Sequence, residues 1–113
     1  MKIINTAILP LIIFITITGQ ALAQTEAATG TVQSVQTYGD GRVLVSGFQF
    51  TGALCKNNGS FWIPGDHPHL EKLLSTILTS KATGQQLTVV AKTDDCWYPE
   101  ITQDSTTYIV LDP

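Results

Sequence analysis

The sequence predicts a small α+β domain, mostly β, with five strands, one helix and a single disulfide. Three observations predict it. Short β-branched runs recur between Gly- and Asn-containing turns, one stretch carries apolar residues at helical spacing, and the chain holds just two cysteines, Cys55 and Cys96. At 113 residues the chain has room for one domain and no more.

The first two dozen residues do not read as part of that domain. Lys2 precedes a largely apolar stretch over residues 3–18, which leads to Ala21-Leu22-Ala23. A charged start, an apolar centre and a small-x-small end make a secretory signal peptide, expected to be cleaved after Ala23. Removing 23 residues from 113 leaves a mature chain of 90. Lys2 leaves with the leader, so five basic side chains face nine acidic ones. That balance disfavours nucleic acid as a partner, because no basic patch remains to meet phosphates. No second apolar run is long enough to span a bilayer. The style of the leader points to a Gram-negative bacterium, with the product periplasmic or extracellular.

Residues 24–29 are small and polar and are expected to form a flexible N-terminal arm; residues 30–113 are expected to be the single barrel domain. Thr31–Tyr38 reads as the first strand, rich in β-branched residues and free of breakers. Gly39-Asp40-Gly41 supplies the turn, and Arg42–Phe50 the second strand of a hairpin. Gly47 within that run marks a bend or bulge. Asn57-Asn58-Gly59 forms another turn, followed by a short strand, Ser60–Ile63, stopped by Pro64-Gly65. Leu70, Leu73, Leu74, Ile77 and Leu78 then lie on one stripe at helical period and are expected to be core. Asp66 or His67 can cap the start of that helix, Pro68 fits its first turn, and Gly84 ends it. Gln86–Lys92 and Thr106–Leu111 read as the last two strands, separated by a long loop over residues 93–105.

The order strand, strand, strand, helix, strand, strand matches the oligonucleotide/oligosaccharide-binding (OB) fold, a five-stranded Greek-key barrel. On this pattern the chain resembles small single-disulfide exported proteins of Gram-negative bacteria. More loosely, it is similar to the pentamer-forming B subunits of AB-type toxins of the subtilase-cytotoxin kind. The resemblance rests on a Cys before a Trp-containing strand, the helix end Lys81-Ala82-Thr83-Gly84-Gln85-Gln86, and Leu87-Thr88-Val89-Val90 leading to Cys96-Trp97-Tyr98-Pro99. It covers residues 42–111 and implies an OB-like barrel, a non-catalytic role and homo-oligomers. These are packing and turn residues, so no sugar-contacting position carries over.

Cys55 and Cys96 have no other partners, and an oxidising compartment favours their bridge. Closing about 42 residues would stabilise the fold by roughly 4 kcal/mol. The Cys-x-x-Cys of thiol–disulfide catalysts is absent. One geometric demand follows: Cys55 follows the second strand and Cys96 lies beyond the fourth, so either the second strand bends to bring them together or the topology differs from a simple barrel.

Trp62, Trp97 and Tyr98 are the candidate ligand-binding residues, since exposed rings stack on sugars and anchor protein contacts. Against this, Trp97 could simply pack over the disulfide. Asp66, His67, His69 and Glu71 are the only cluster of metal-ligand types, with His67 and His69 as weak metal candidates; structural zinc wants four ligands and the cysteines are committed. The plainer reading is a helix start with its imidazoles in water. Asp94, Asp95, Glu100 and Asp104 do not have calcium-loop spacing and read as a solvated acidic loop. Asn58-Gly59-Ser60 has the form of a glycosylation sequon but reads more simply as a turn. No nucleophile elbow, phosphate loop or zinc-protease motif occurs. The expectation is therefore an exported, non-enzymatic binding module without cofactor, its partner a glycan or exported protein. The alternatives are a homo-oligomeric toxin-B-like subunit and, behind it, a small periplasmic metal-binding protein or enzyme.

Overall fold

Period-two alternation places Val43 and Val45 inward on one strand, Phe61 and Ile63 on its neighbour, and Leu87, Val89 and Ala91 on a third. A computed structural model describes residues 24–94 and 96–113 of the chain. The expected signal peptide, residues 1–23, lies outside the described residues, as does Asp95. The elements are β1 Thr25–Gly30, β2 Ser34–Thr37, β3 Val43–Ser46, β4 Ser60–Ile63, α1 Leu70–Thr83, β5 Leu87–Lys92 and β6 Tyr108–Leu111. They form two three-stranded antiparallel sheets, ordered β1-β5-β6 and β2-β3-β4. Phe48, Phe50 and Ile101 from the connections and Ile77 from α1 complete the buried core.

Two expectations are corrected here. The fold is α+β and mostly β, but among the described residues six strands in two sheets replace five strands in one barrel, and no closed barrel forms. The flexible arm expected at 24–29 is in fact β1, paired residue for residue with β5 from Thr25↔Lys92 to Gly30↔Leu87. The physical cause of both is a crossing between Gly30 and Ser34, where the chain leaves one sheet and enters the other. Gly47 lies against this crossing at φ +116°, and a Cβ there would overlap the Thr31 carbonyl. Its bareness lets the two backbones touch. The expected strand over 31–38 is thereby shortened to β2.

The sheets are stitched along a second line. Lys92 and Glu100 exchange backbone hydrogen bonds at 2.8 and 3.0 Å, while Trp62 N–H donates to the Pro99 carbonyl (2.9 Å) and Ile101 N–H to that of Trp62 (3.0 Å). Residues 99–101 thus run parallel to β4 and antiparallel to the end of β5. Glu100, expected in a solvated acidic loop, is half-buried in this junction.

The helix begins and ends for different reasons. Gly84 takes the left-handed conformation (φ 76°) and its N–H returns to the Ser80 carbonyl at 2.8 Å. At the other end the N-cap residue is His69, with no side-chain cap; Asp66, a predicted cap, is exposed and does not perform that role. Of the predicted stripe, Ile77 is fully buried and Leu70, Leu73 and Leu74 pack against the core, but Leu78 is 49% exposed.

Candidate functional site

The outward face of β2-β3-β4 follows from the register. Val43 pairs with Ile63 and both point inward, so Leu44 and its partner Trp62 point outward. Beyond them lies the β2–β3 hairpin tip, closed by Tyr38 N–H to the Arg42 carbonyl (2.8 Å) and Gly41 N–H to that of Tyr38 (2.9 Å). This tip brings the Arg42 guanidinium within 4.8 Å of both the Tyr38 and the Trp62 ring centroids. Trp62 in turn lies 6.1 Å from Tyr98, the rings tilted by 46°. The result is a ladder, Tyr38, Arg42, Trp62, Tyr98, drawn from a hairpin tip, a strand and the 93–107 loop. Cation–aromatic contacts of this kind contribute about 0.5–1 kcal/mol each where solvent reaches them.

Asp40 anchors the Arg42 end. Its Oδ1 accepts from the Arg42 backbone N–H (3.1 Å), and Oδ2 lies 2.8 Å from Nε. The backbone bond first, then the guanidinium, hold the Asp40 carboxyl below the usual carboxylate range. Trp62 Nε1 is buried and has no acceptor among the described residues.

The disulfide positions the remaining aromatic. Cys55 and Cys96 are bonded, with Cα atoms 4.3 Å apart. The required bend occurs after Phe50, in a turn where Ala53 N–H donates to the Phe50 carbonyl (3.3 Å). Residues 54–57 then follow residues 93–97: Leu54 N–H to the Thr93 carbonyl (2.9 Å), Lys56 N–H to that of Cys96 (2.8 Å), and Asn57 N–H to that of Trp97 (2.8 Å). Trp97 is 62% exposed, with Lys56 Nζ 5.8 Å from its ring. It is a solvent-facing ring on a stapled base. Of the three predicted site residues, Trp62 and Tyr98 are brought together and Trp97 is turned outward. Tyr38 and Arg42 were missed; the sequence marks them as flanking a hairpin turn, but the register of β3 on β4 is what sets that turn beside Trp62.

The two histidines do not form a metal site. His67 is 8% exposed and both ring nitrogens are engaged. Nδ1 accepts from the His69 N–H (3.0 Å), so Nε2 carries the proton and donates to the Thr102 carbonyl (2.8 Å). Neither nitrogen is left for a metal. His67 instead ties the start of α1 to the loop before β6, a structural task in place of the predicted cap. His69 is exposed, its ring 6.0 Å from that of His67. Among the described residues no group of three or more His, Cys, Asp or Glu side chains converges. Asp104 is occupied by its own loop: it accepts from the Thr106 N–H (3.0 Å), the Thr106 hydroxyl and the Thr102 hydroxyl (3.0 Å). Those bonds, from Thr106 first, lower its pKa.

No protein family, curated protein or solved structure matches the chain.

Proposed function

We propose that this chain is an exported, non-enzymatic binding module that recognises a glycan or an exported protein through Trp97 and the Tyr38–Arg42–Trp62–Tyr98 ladder. The observation that carries the reading is the ladder itself, three aromatic rings and an arginine on the outer face of one sheet, with a fourth ring exposed on the adjoining loop. Trp, Tyr and Arg are the side chains that dominate binding hot spots. The order of elements supports the placement. In an OB-like path β1 and β2 form one bent first strand, and residues 99–111 one broken last strand. OB-fold proteins take ligands on the face of strands two and three and on the loops after strands one and four. The counterparts here are β3, β4, the 38–42 turn and the 93–107 loop, the places the ladder occupies. Non-enzymatic describes what converges there: rings, one guanidinium and its resident carboxylate. A glycan array together with pull-downs from periplasmic extract tests the proposal. Binding that is lost in Trp97→Ala and Arg42→Ala supports it; turnover of a substrate without such binding would overturn it.

A second reading has its own observation. β6 is an edge strand in the described residues, and its outward residues Tyr108 and Val110 are 49% and 44% exposed. Apolar edges of this kind favour strand pairing between copies, which accords with the resemblance to pentamer-forming subunits. Light scattering decides: a monomer at high concentration would end this reading.

A further inference from the structure

We infer that Gln24 is a site of spontaneous covalent modification: in the exported chain, cleaved after Ala23, the terminal glutamine closes on its own α-amine to form a pyroglutamyl ring. The inference rests on the export reading, because residue 24 carries an α-amine only once the leader is gone. The reaction needs a terminal glutamine, an amine the fold does not use, and a side chain free to swing its carbonyl carbon onto that amine. The reacting atoms belong to one residue, so rotation about the Gln24 side-chain bonds brings them together. The structure supplies the rest at the corner of a sheet. β1 begins at Thr25, one residue beyond the cleavage point, and in the order β1-β5-β6 it is an edge. Gln24 therefore stands at an open end of a paired strand. It is exposed, so its side chain rotates in water.

The backbone of residue 24 is anchored without its nitrogen. Continuing the β1–β5 register sets Gln24 opposite Thr93, and the Gln24 carbonyl accepts from the Thr93 N–H (2.9 Å). The Thr93 carbonyl, the acceptor across the ladder, takes the Leu54 N–H (2.9 Å). The terminal amine is thus left as a nucleophile, and α-amines ionise near neutral pH, so a share of chains carries the free base. The step balances within the residue. The Gln24 α-nitrogen attacks Cδ; the N–Cδ bond forms, Cδ–Nε2 breaks, and a proton passes from the attacking to the departing nitrogen, which leaves as ammonia. No oxidant or reductant takes part. Closure leaves the Gln24 carbonyl untouched, so the bond from Thr93 survives it. It also replaces a terminal cation by a neutral lactam N–H, which makes a chain with five basic and nine acidic side chains after cleavage more acidic still.

The experiment expresses the full chain with its leader, collects the exported protein, and incubates it near neutral pH while mass spectrometry follows the N-terminal peptide. We expect that peptide to begin at residue 24 and to become lighter by one ammonia, with fragmentation placing the loss on residue 24. Stepwise N-terminal sequencing should fall silent on the same sample until pyroglutamyl peptidase removes the ring, and should then start at Thr25. Gln24→Ala is the control: it should be cleaved at the same point, keep its full mass and stay readable by sequencing. Its melting curve should match the parent's, because the fold uses only the backbone of this residue. A terminus at Gln24 that keeps its ammonia throughout the incubation would overturn the inference and leave the export reading standing. A terminus at any other residue would remove the cleavage point, and the inference with it.

Discussion

Replacing both cysteines tests how the fold is held. The bridge joins residues 41 apart in sequence, and constraining a loop of that size in the unfolded chain is worth about 4 kcal/mol in the chain-entropy model. The three backbone bonds from Leu54, Lys56 and Asn57 to the 93–97 segment act on the folded state and survive the substitution, so they do not reduce this figure. Cys55 is buried, and a serine hydroxyl there adds a further penalty unless it finds a partner, on the order of 1–3 kcal/mol; alanine avoids it. The Cys55→Ala, Cys96→Ala double variant is therefore expected to lose about 4 kcal/mol, and the serine pair somewhat more. At ~4–8 °C per kcal/mol for a domain of this size, the alanine pair should melt roughly 15–30 °C lower. Calorimetry of oxidised, reduced and substituted protein reads this directly, and mass spectrometry confirms two protons missing in the oxidised form. Trp97, beside Cys96 and open to solvent, should report reduction only weakly in its fluorescence. A Tm drop below about 5 °C, or free thiols in exported protein, would refute the reasoning: the paired segments would then hold without the staple.

Trp62→Ala should cost about 2–3 kcal/mol by removing the central rung between Arg42 and Tyr98, whereas Trp97→Ala, at an exposed position, should stay within ~0.5 kcal/mol yet weaken partner binding; chemical denaturation and binding titration separate the two. His67→Ala should cost about 1–3 kcal/mol, since it leaves the Thr102 carbonyl and His69 N–H without their partner, and nitrogen NMR of the parent protein should show Nε2 protonated and Nδ1 bare. Ile77→Ala should lose about 2–5 kcal/mol, against less than ~0.5 kcal/mol for the exposed Leu78→Ala, both read from urea midpoints. Acid titration should expose Asp104: its folded pKa is depressed by bonds from Thr106 and Thr102, so its contribution is complete above the ordinary carboxylate value and is lost as pH falls through the lowered one. Asp104→Asn should flatten that acid limb by lowering stability near neutral pH toward the value the parent has in acid, and an unaltered limb would exclude the residue as its source.

Local signals were legible where one physical rule decides the outcome alone. Ser60–Ile63 stands where alternation and the Pro-Gly stop placed it, α1 ends at Gly84, and Leu87, Val89 and Ala91 all face the core, because side-chain period and backbone sterics are properties of the segment itself. The disulfide was equally legible, since two cysteines allow one pairing. What the sequence could not decide were relations between segments. Residues 24–29 look like an arm because Ala, Thr and Glu carry little apolar signal; 25–30 are a strand because β5 offers them an unpaired edge. Leu78 shares the helical stripe, but whether it is covered depends on which other segments pack against the helix. His67 reads as a cap or ligand until the Thr102 carbonyl, 35 residues away, claims its second nitrogen. The candidate site divides in the same way. Trp62, Trp97 and Tyr98 stand out by residue type, but only the register of β3 on β4 and the course of residues 99–101 set Tyr38 and Arg42 beside Trp62 and leave Trp97 in solvent. Composition and periodicity determine what each segment is; which faces and hydrogen-bonding groups remain free is a property of the packed whole.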